Sequence, residues 1–354
     1  MNNITTAKNN ISERNMISSF VIKLKFAFNL ILTFTMFIFA FNTIELSAQE
    51  GTDIEATHLN SLEQSIVPVL GVHKFMPNSV VKDPFIKTYI RNSVGIGQAL
   101  DINIPIVEIG GEQILGLRGD LIFATLDFEY HHAVKDWLAV WGRFNMLARL
   151  GNDTQALLSQ GVIAVTGFEF GWLFSLMKKD NTMLSLSLSL ENGNATIINL
   201  LDYIEGIIEG DYTFDNSLVD NVQSLRGGSG LRFAWAVSKL FGFYATGELL
   251  YGQSAEVRND SKFFYNVGGV LDFDLNAVSD LPFGILVGYR QTNVLSSEDK
   301  AAGDLSTFFF RIGYNNPNDL SIGIESSVNK IPVQSLDQTL NAGLTKIMLR
   351  YYFE

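Results

Sequence analysis

Leu184, Leu186, Leu188 and Leu190 alternate with Ser185, Ser187 and Ser189, and this period of two constrains the fold more than any other feature of the chain. A helix would spread the four leucines around its circumference. An extended strand sets them on one face and the serines on the other. The same alternation recurs from Ser93 to the C-terminus, in segments of about 9 to 13 residues, the length a tilted strand needs to cross a bilayer. Twelve strands are read in this way, near 94–104, 120–132, 137–150, 162–176, 182–191, 229–238, 241–253, 262–275, 283–292, 305–315, 319–328 and 342–353. Large apolar residues set the phase of each, such as Phe168, Phe170, Trp172 and Phe174 in the fourth, or Phe263, Tyr265, Leu271, Phe273 and Leu275 in the eighth.

With that phase fixed, the ionisable residues of the strands fall on the opposite face. The acids are Asp101, Asp127, Glu129, Glu169, Glu248, Asp272, Asp274 and Glu325, and the bases are Arg143, Arg149, Arg232, Arg290, Arg311, Lys346 and Arg350. A charge turned toward lipid costs about 2–4 kcal/mol near the midplane, so this segregation suits a barrel with a polar lumen. A water-soluble sandwich shows the same alternation in the opposite sense, apolar face buried and charges out. Alternation by itself leaves both open.

Three features favour the membrane. Lys23 and Lys25 precede an apolar run from Phe26 to Phe41, which leads into Leu46-Ser47-Ala48, the order of a secretory signal peptide over residues 1–48. A retained transmembrane anchor is the alternative, and the run's Asn29, Thr33 and Thr35 speak against it. The connections after even-numbered strands are short, while those after odd ones are longer and more polar, as in 254–261, 293–304 and 329–341. Short periplasmic turns and long external loops are the habit of outer-membrane barrels. Finally, Ile347, Leu349, Tyr351 and Phe353 share the outer face of the last strand. Tyr351 and Phe353 resemble the C-terminal assembly signal of bacterial outer-membrane barrels, although that signal normally ends on the aromatic and here Glu354 follows.

The expected fold is therefore an all-β, transmembrane antiparallel barrel over residues 93–354 in the outer membrane of a Gram-negative bacterium. Membrane lipid and the barrel-assembly machinery are its expected partners. The chain has no Cys, which excludes disulfides, thiolate metal sites and the lipidated cysteine of a lipoprotein. Cleavage after Ala48 would take four basic and two acidic residues from the totals of 25 and 37, leaving a mature net charge of −14. Such a surface repels phosphates, so nucleic acid is not an expected partner.

Two stretches do not fit the strand pattern. Within 192–228, Ile197, Leu200, Leu201, Ile204, Ile207 and Ile208 recur at helical spacing, which predicts an amphipathic helix in an external loop. Residues 49–92 carry Ile66-Val67-Pro68-Val69-Leu70 and Asp83-Pro84-Phe85, neither regular strand nor linker, and are read as a periplasmic or plug segment. Here the chain resembles the long-chain fatty-acid and hydrophobic-compound transporter family, whose N-terminal segment forms a hatch in the lumen. It departs from that family in strand count, twelve against fourteen, and in lacking Asn-Pro-Ala near the mature start.

The lumen charges have two readings: mutual neutralisation in a packed interior, or a transverse field along a small pore. Passive passage of small solutes, hydrophobic ones among them, is the leading expectation, with a closed structural or assembly-component barrel as the rival. Lipid hydrolysis is a third reading, because some twelve-stranded outer-membrane barrels use Ser and His near lipid. His131 and His132 end the second strand, with only His132 on the lipid-facing side. No Ser with an acidic or amide partner stands beside them, so no catalytic, metal or cofactor residue is assigned. Gly95-Ile96-Gly97 sits inside a strand with no helix following and is not read as a phosphate loop.

Overall fold

The computed structural model describes residues 66–109, 112–150, 161–198, 219–253, 261–279, 281–294, 305–315, 319–333 and 338–353, all within the unit His58–Glu354. The signal-peptide segment and its cleavage site, and residues 49–65, lie outside the described residues.

A two-residue hairpin comes first, β1 (Val69–Leu70) and β2 (His73–Lys74), turned at Gly71, whose φ of +55° favours a residue without Cβ. Twelve long strands follow: β3 (Tyr89–Ile109), β4 (Glu112–Lys135), β5 (Leu138–Leu150), β6 (Gly161–Lys179), β7 (Thr182–Ile198), β8 (Val219–Ala236), β9 (Phe241–Gln253), β10 (Ser261–Asp274), β11 (Phe283–Val294), β12 (Leu305–Asn315), β13 (Leu320–Val333) and β14 (Gln338–Tyr352). One helical turn, α1 (Asn276–Ser279), joins β10 to β11. Each strand pairs antiparallel with its neighbours in sequence, and β14 pairs with β3 from Tyr352↔Tyr89 to Ala342↔Ala99, closing the barrel. Closure removes every sheet edge, as hydrocarbon demands of backbone that no water can satisfy.

The alternation decides between barrel and sandwich. Phe168 is 63% exposed while its neighbour Glu169 is 8% exposed, and Ile347 is 61% exposed while Arg350, three positions on and on the opposite face, is 2% exposed. Large apolar side chains cover the outside and ionisable ones lie within, the reverse of a soluble protein and the sense of a transmembrane barrel. Aromatic pairs mark the short-turn end: Trp137 with Phe174, Phe241 with Phe273, Phe283 with Tyr314, and Tyr351 with Phe353. Such rings collect at a membrane–water interface.

Three stretches read as loops are strand. Residues 105–109 and 112–119 extend β3 and β4, with register shifts near Ala99, Pro105 and Val107. Most of 329–341 is strand, since β13 continues to Val333 and β14 begins at Gln338. β7 and β8 pair as far as Ile198↔Val219, so Ile197 lies on a strand and not on the predicted helix. The rest of that helix, Leu200 to Ile208, lies outside the described residues. Polar strands that pass beyond the hydrocarbon lose the lipid-facing alternation, and with it the sequence signal.

Candidate functional site in the lumen

Residues 73–88 have no secondary structure beyond the β1–β2 hairpin, yet Phe75, Met76, Val81 and Phe85 are nearly fully buried. Their bonding partners say where they lie. Met76 N–H donates to Asp272 of β10 at 2.7 Å, Ser79 N–H to Glu325 of β13 at 3.0 Å, and Lys74 Nζ to the Asn315 carbonyl of β12 at 2.9 Å. Arg91 of β3 donates to the Asn78 carbonyl at 2.7 Å, Arg143 of β5 to Ser79 at 3.5 Å, and Arg290 of β11 to Val80 at 3.4 Å. Arg232 of β8 donates to the Asp83 carbonyl at 3.3 Å and Ser185 of β7 to Pro84 at 2.8 Å. Lys82 reaches Glu169 of β6 and Glu248 of β9, Asp83 accepts from Arg350 of β14 at 2.9 Å, and His131 of β4 meets the Lys87 carbonyl at 2.6 Å. A short segment bonded to all twelve strands of a closed barrel can lie only inside it.

The path is a loop that enters and leaves by one end. His73 sits against the Lys239 carbonyl in the short turn between β8 and β9. The chain rises to Asn78–Lys82 and returns, and at the short-turn end Thr88 is held by Ala133 at 3.1 Å and by the Phe353 N–H at 3.1 Å. At the apex Asn78 Oδ1 accepts from the Val80 and Val81 N–H groups at 2.8 and 2.6 Å, a side-chain-made turn. An irregular backbone buried in this way must find partners for its own N–H and C=O groups, at about 1–3 kcal/mol for each left unmade. The wall charges supply them. They neither only neutralise one another nor line an open pore; they hold a chain segment.

Below the polar apex an apolar cluster packs Leu70, Phe75, Met76, Val81 and Phe85 against Met183, Ala234, Tyr244, Val270, Leu286 and Phe309. The wall is cut to fit: a Cβ on Gly242 would stand 2.5 Å from the His73 ring, and one on Gly284 would stand 2.7 Å from Met76 Sδ. Burial lowers the His73 imidazole below its usual range, so it stays neutral and its Nδ1–H donates to Lys239, 2.9 Å away. Burial also lowers Lys74 to about 8, opposed by Asp274. Between apex and wall lies a cavity of about 20 Å³, lined by Lys82, Asp83, Arg91, Glu129, Arg143 and Arg350 among others. That is room for about one water molecule.

The charged residues read from sequence are distributed as follows. Asp127 takes Arg143 at 3.2 Å, Lys346 at 2.8 Å and the Ser93 hydroxyl at 2.9 Å. Glu129 takes Arg91 and Tyr89, while Glu248 is flanked by Lys82 at 3.0 Å and Arg232 at 3.8 Å. Arg311 is fully buried, donates to Ser321 at 3.3 Å and stands opposite Glu325 in register. Asp272 and Asp274 are buried near the short-turn end, and Arg149 stands opposite Phe123, above the segment. Asp101 lies on β3 at a register shift, and its side chain lies outside the described residues. Sequence reasoning missed Arg91 and Tyr89, because the first strand was started at 94; carrying the alternation back from Val94 would have found both. It also missed Asn78, Ser79, Lys82 and Asp83, which no periodicity marks.

His131 is 3% exposed and stacked between Tyr89 and Trp141, whereas His132 stacks on Tyr130 outside the wall. Among the described residues no group of three His, Asp or Glu side chains is placed to hold a metal ion. Tyr351 faces outward, and Phe353, just past β14, lies against Tyr130 and Tyr351.

Closure, strand count and the lipid-facing exterior define a twelve-stranded transmembrane β-barrel. No protein family and no curated protein matches the sequence. Among solved structures the chain is similar to an outer membrane channel from Pseudomonas putida F1, with 9% identity over 79% of this chain and 100% of that one, at a TM-score of 0.45. It is similar too to a Pseudomonas aeruginosa FadL homologue, with 10% identity over 75% and 90% and a TM-score of 0.40. A third is the translocator domain of the autotransporter NalP from Neisseria meningitidis, with 10% identity over 85% and 95% and a TM-score of 0.41. Channels and a translocator domain stand side by side here, and the likeness is one of barrel with barrel.

Proposed function

We propose that the protein is a channel in the outer membrane of a Gram-negative bacterium, shut at rest by its own residues 73–88, which passes small solutes when that segment shifts. The observation that carries this reading is the kind of bonding that holds the segment. Beyond the Thr88 carbonyl, which takes the Phe353 N–H at the seam, the backbone bonds of the segment to the wall described above run to wall side chains, in a barrel whose strands pair fully without it. Side-chain bonds of this sort exchange for water one at a time, while a wall strand cannot leave without opening the barrel. The fit at Gly242 and Gly284 supports the same view, because a wall meant to be filled by its own side chains would have no need to leave them out there.

Above the segment, toward the end away from the short turns, Phe123, Ala99 and Ala342 pack with Leu121, Leu147, Leu340 and Leu344. This apolar inner face supports hydrophobic molecules among the solutes.

The test compares the full chain with one lacking residues 66–87, both in planar bilayers and in vesicles. The full chain is expected to conduct rarely and the shortened one steadily, with both still running faster on unboiled gels. Two folded barrels that neither conduct nor admit solutes would establish the closed structural barrel instead.

A further inference from the structure

The outside of the wall carries a feature that passage through the lumen does not use. Across β4, β5, β6 and β7 one outward row reads Tyr130, Gly142, Phe170, Leu190, and the next reads Phe128, Phe144, Phe168, Asn192, which continues to Leu225 on β8. Gly142 interrupts a run of large side chains, and a Cβ built there meets nothing within 4 Å. The result is a groove of about 480 Å³, lined almost wholly by carbon from Phe128, Phe144, Phe168, Phe170, Leu190 and Leu225. Ordinary small-molecule sites fall at about 300–1,000 Å³. Five of these side chains are between 42% and 63% exposed in the isolated chain, so the groove opens away from the lumen.

From the groove's position we infer that it is a site for one acyl chain of a membrane phospholipid. Its walls belong to the lipid-facing band, where the surrounding medium is hydrocarbon and an empty cleft of this volume would forfeit dispersion contacts along its walls. A flexible acyl chain fills such a cleft and a rigid neighbour does not. Asn192 gives the site polarity: it is an outward amide flanked in register by Phe168 and Leu225, placed to bond an ester or phosphate oxygen of the same lipid. The chain would then run from Asn192 toward the notch at Gly142.

The test is native mass spectrometry of the full-length barrel after detergent washing that strips loosely held lipid. One phospholipid per barrel is expected on the wild type. Gly142→Leu, which fills the notch, should lower its occupancy at least tenfold, and Asn192→Leu several-fold. Gly247→Leu serves as the control, because Gly247 is an outward glycine with equally open space and no part in the groove; its occupancy should match wild type. Should Gly142→Leu fail to fold, Asn192→Leu and Leu190→Ala decide the matter by the same readout. Loss of lipid in none of the groove variants, retention of lipid A in place of phospholipid, or a wild-type dimer that Gly142→Leu splits would each overturn the proposal, the last by making a second copy the occupant. The result is independent of conductance, so this site and the channel can fail separately.

Discussion

Lys82 reaches two strands at once, Glu169 on β6 and Glu248 on β9, from within a segment that has no sheet of its own. Both carboxylates are nearly buried, and removing the cation between them leaves charges that water reaches poorly, at about 3–5 kcal/mol. Lys82→Met is therefore expected to weaken closure and raise open probability in planar bilayers by an order of magnitude or more, with Lys82→Arg close to wild type. Arg226→Ala is the contrast. Its pair with Glu191, at 3.4 Å, is 23% and 31% exposed and is worth about 0–1 kcal/mol, so closure should not change. The inward or outward sense of each wall residue could be read in the sequence because strand alternation is local and needs no knowledge of the partner. Lys82, Asn78 and Ser79 could not be read that way. Their importance comes from strands up to 267 positions away, and nothing within the segment's own sequence records that.

The strands show how far a periodic signal reaches. β9 and β12 were placed at their observed ends, 241–253 and 305–315, because their alternation runs the whole length and each meets a short turn or a polar stretch abruptly. Asn192-Gly193-Asn194 has the composition of a turn, yet it continues β7 opposite Gln223, Ser224 and Leu225. Only the pairing partner, remote in sequence, makes it a strand. Where alternation does operate it is enforced by lipid, and this can be tested on β14. Ile347, 61% exposed on the outer face, should tolerate Val. Ile347→Lys should cost about 2–4 kcal/mol, seen as a lower urea midpoint in vesicles and a smaller heat-modifiable fraction on gels. An equal midpoint for the lysine variant would mean that this face does not meet hydrocarbon.

Closure of the barrel joins its first and last wall strands at one place. β14 zips onto β3, which directly follows the lumen segment, and the Phe353 N–H binds the Thr88 carbonyl where the segment passes into the wall. The barrel thus shuts around a stretch of chain anchored at the seam, and any opening must swing that stretch about a fixed point near Thr88 while the twelve strands stay paired. The absence of cysteine from the chain makes this motion testable with a clean pair. Ser79 and Glu325 already bond through their side chains and through the Ser79 N–H. In a Ser79→Cys, Glu325→Cys variant, oxidation should tie the apex to β13. Carried on the Lys82→Met background, this pair is expected to conduct when reduced and to fall silent when oxidised, reversibly and with no change in gel mobility of the folded form. Conductance that ignores the redox state of a bond confirmed by mass would show that solute, if it passes, does so without moving the apex, and the gate would have to be sought elsewhere along the lumen.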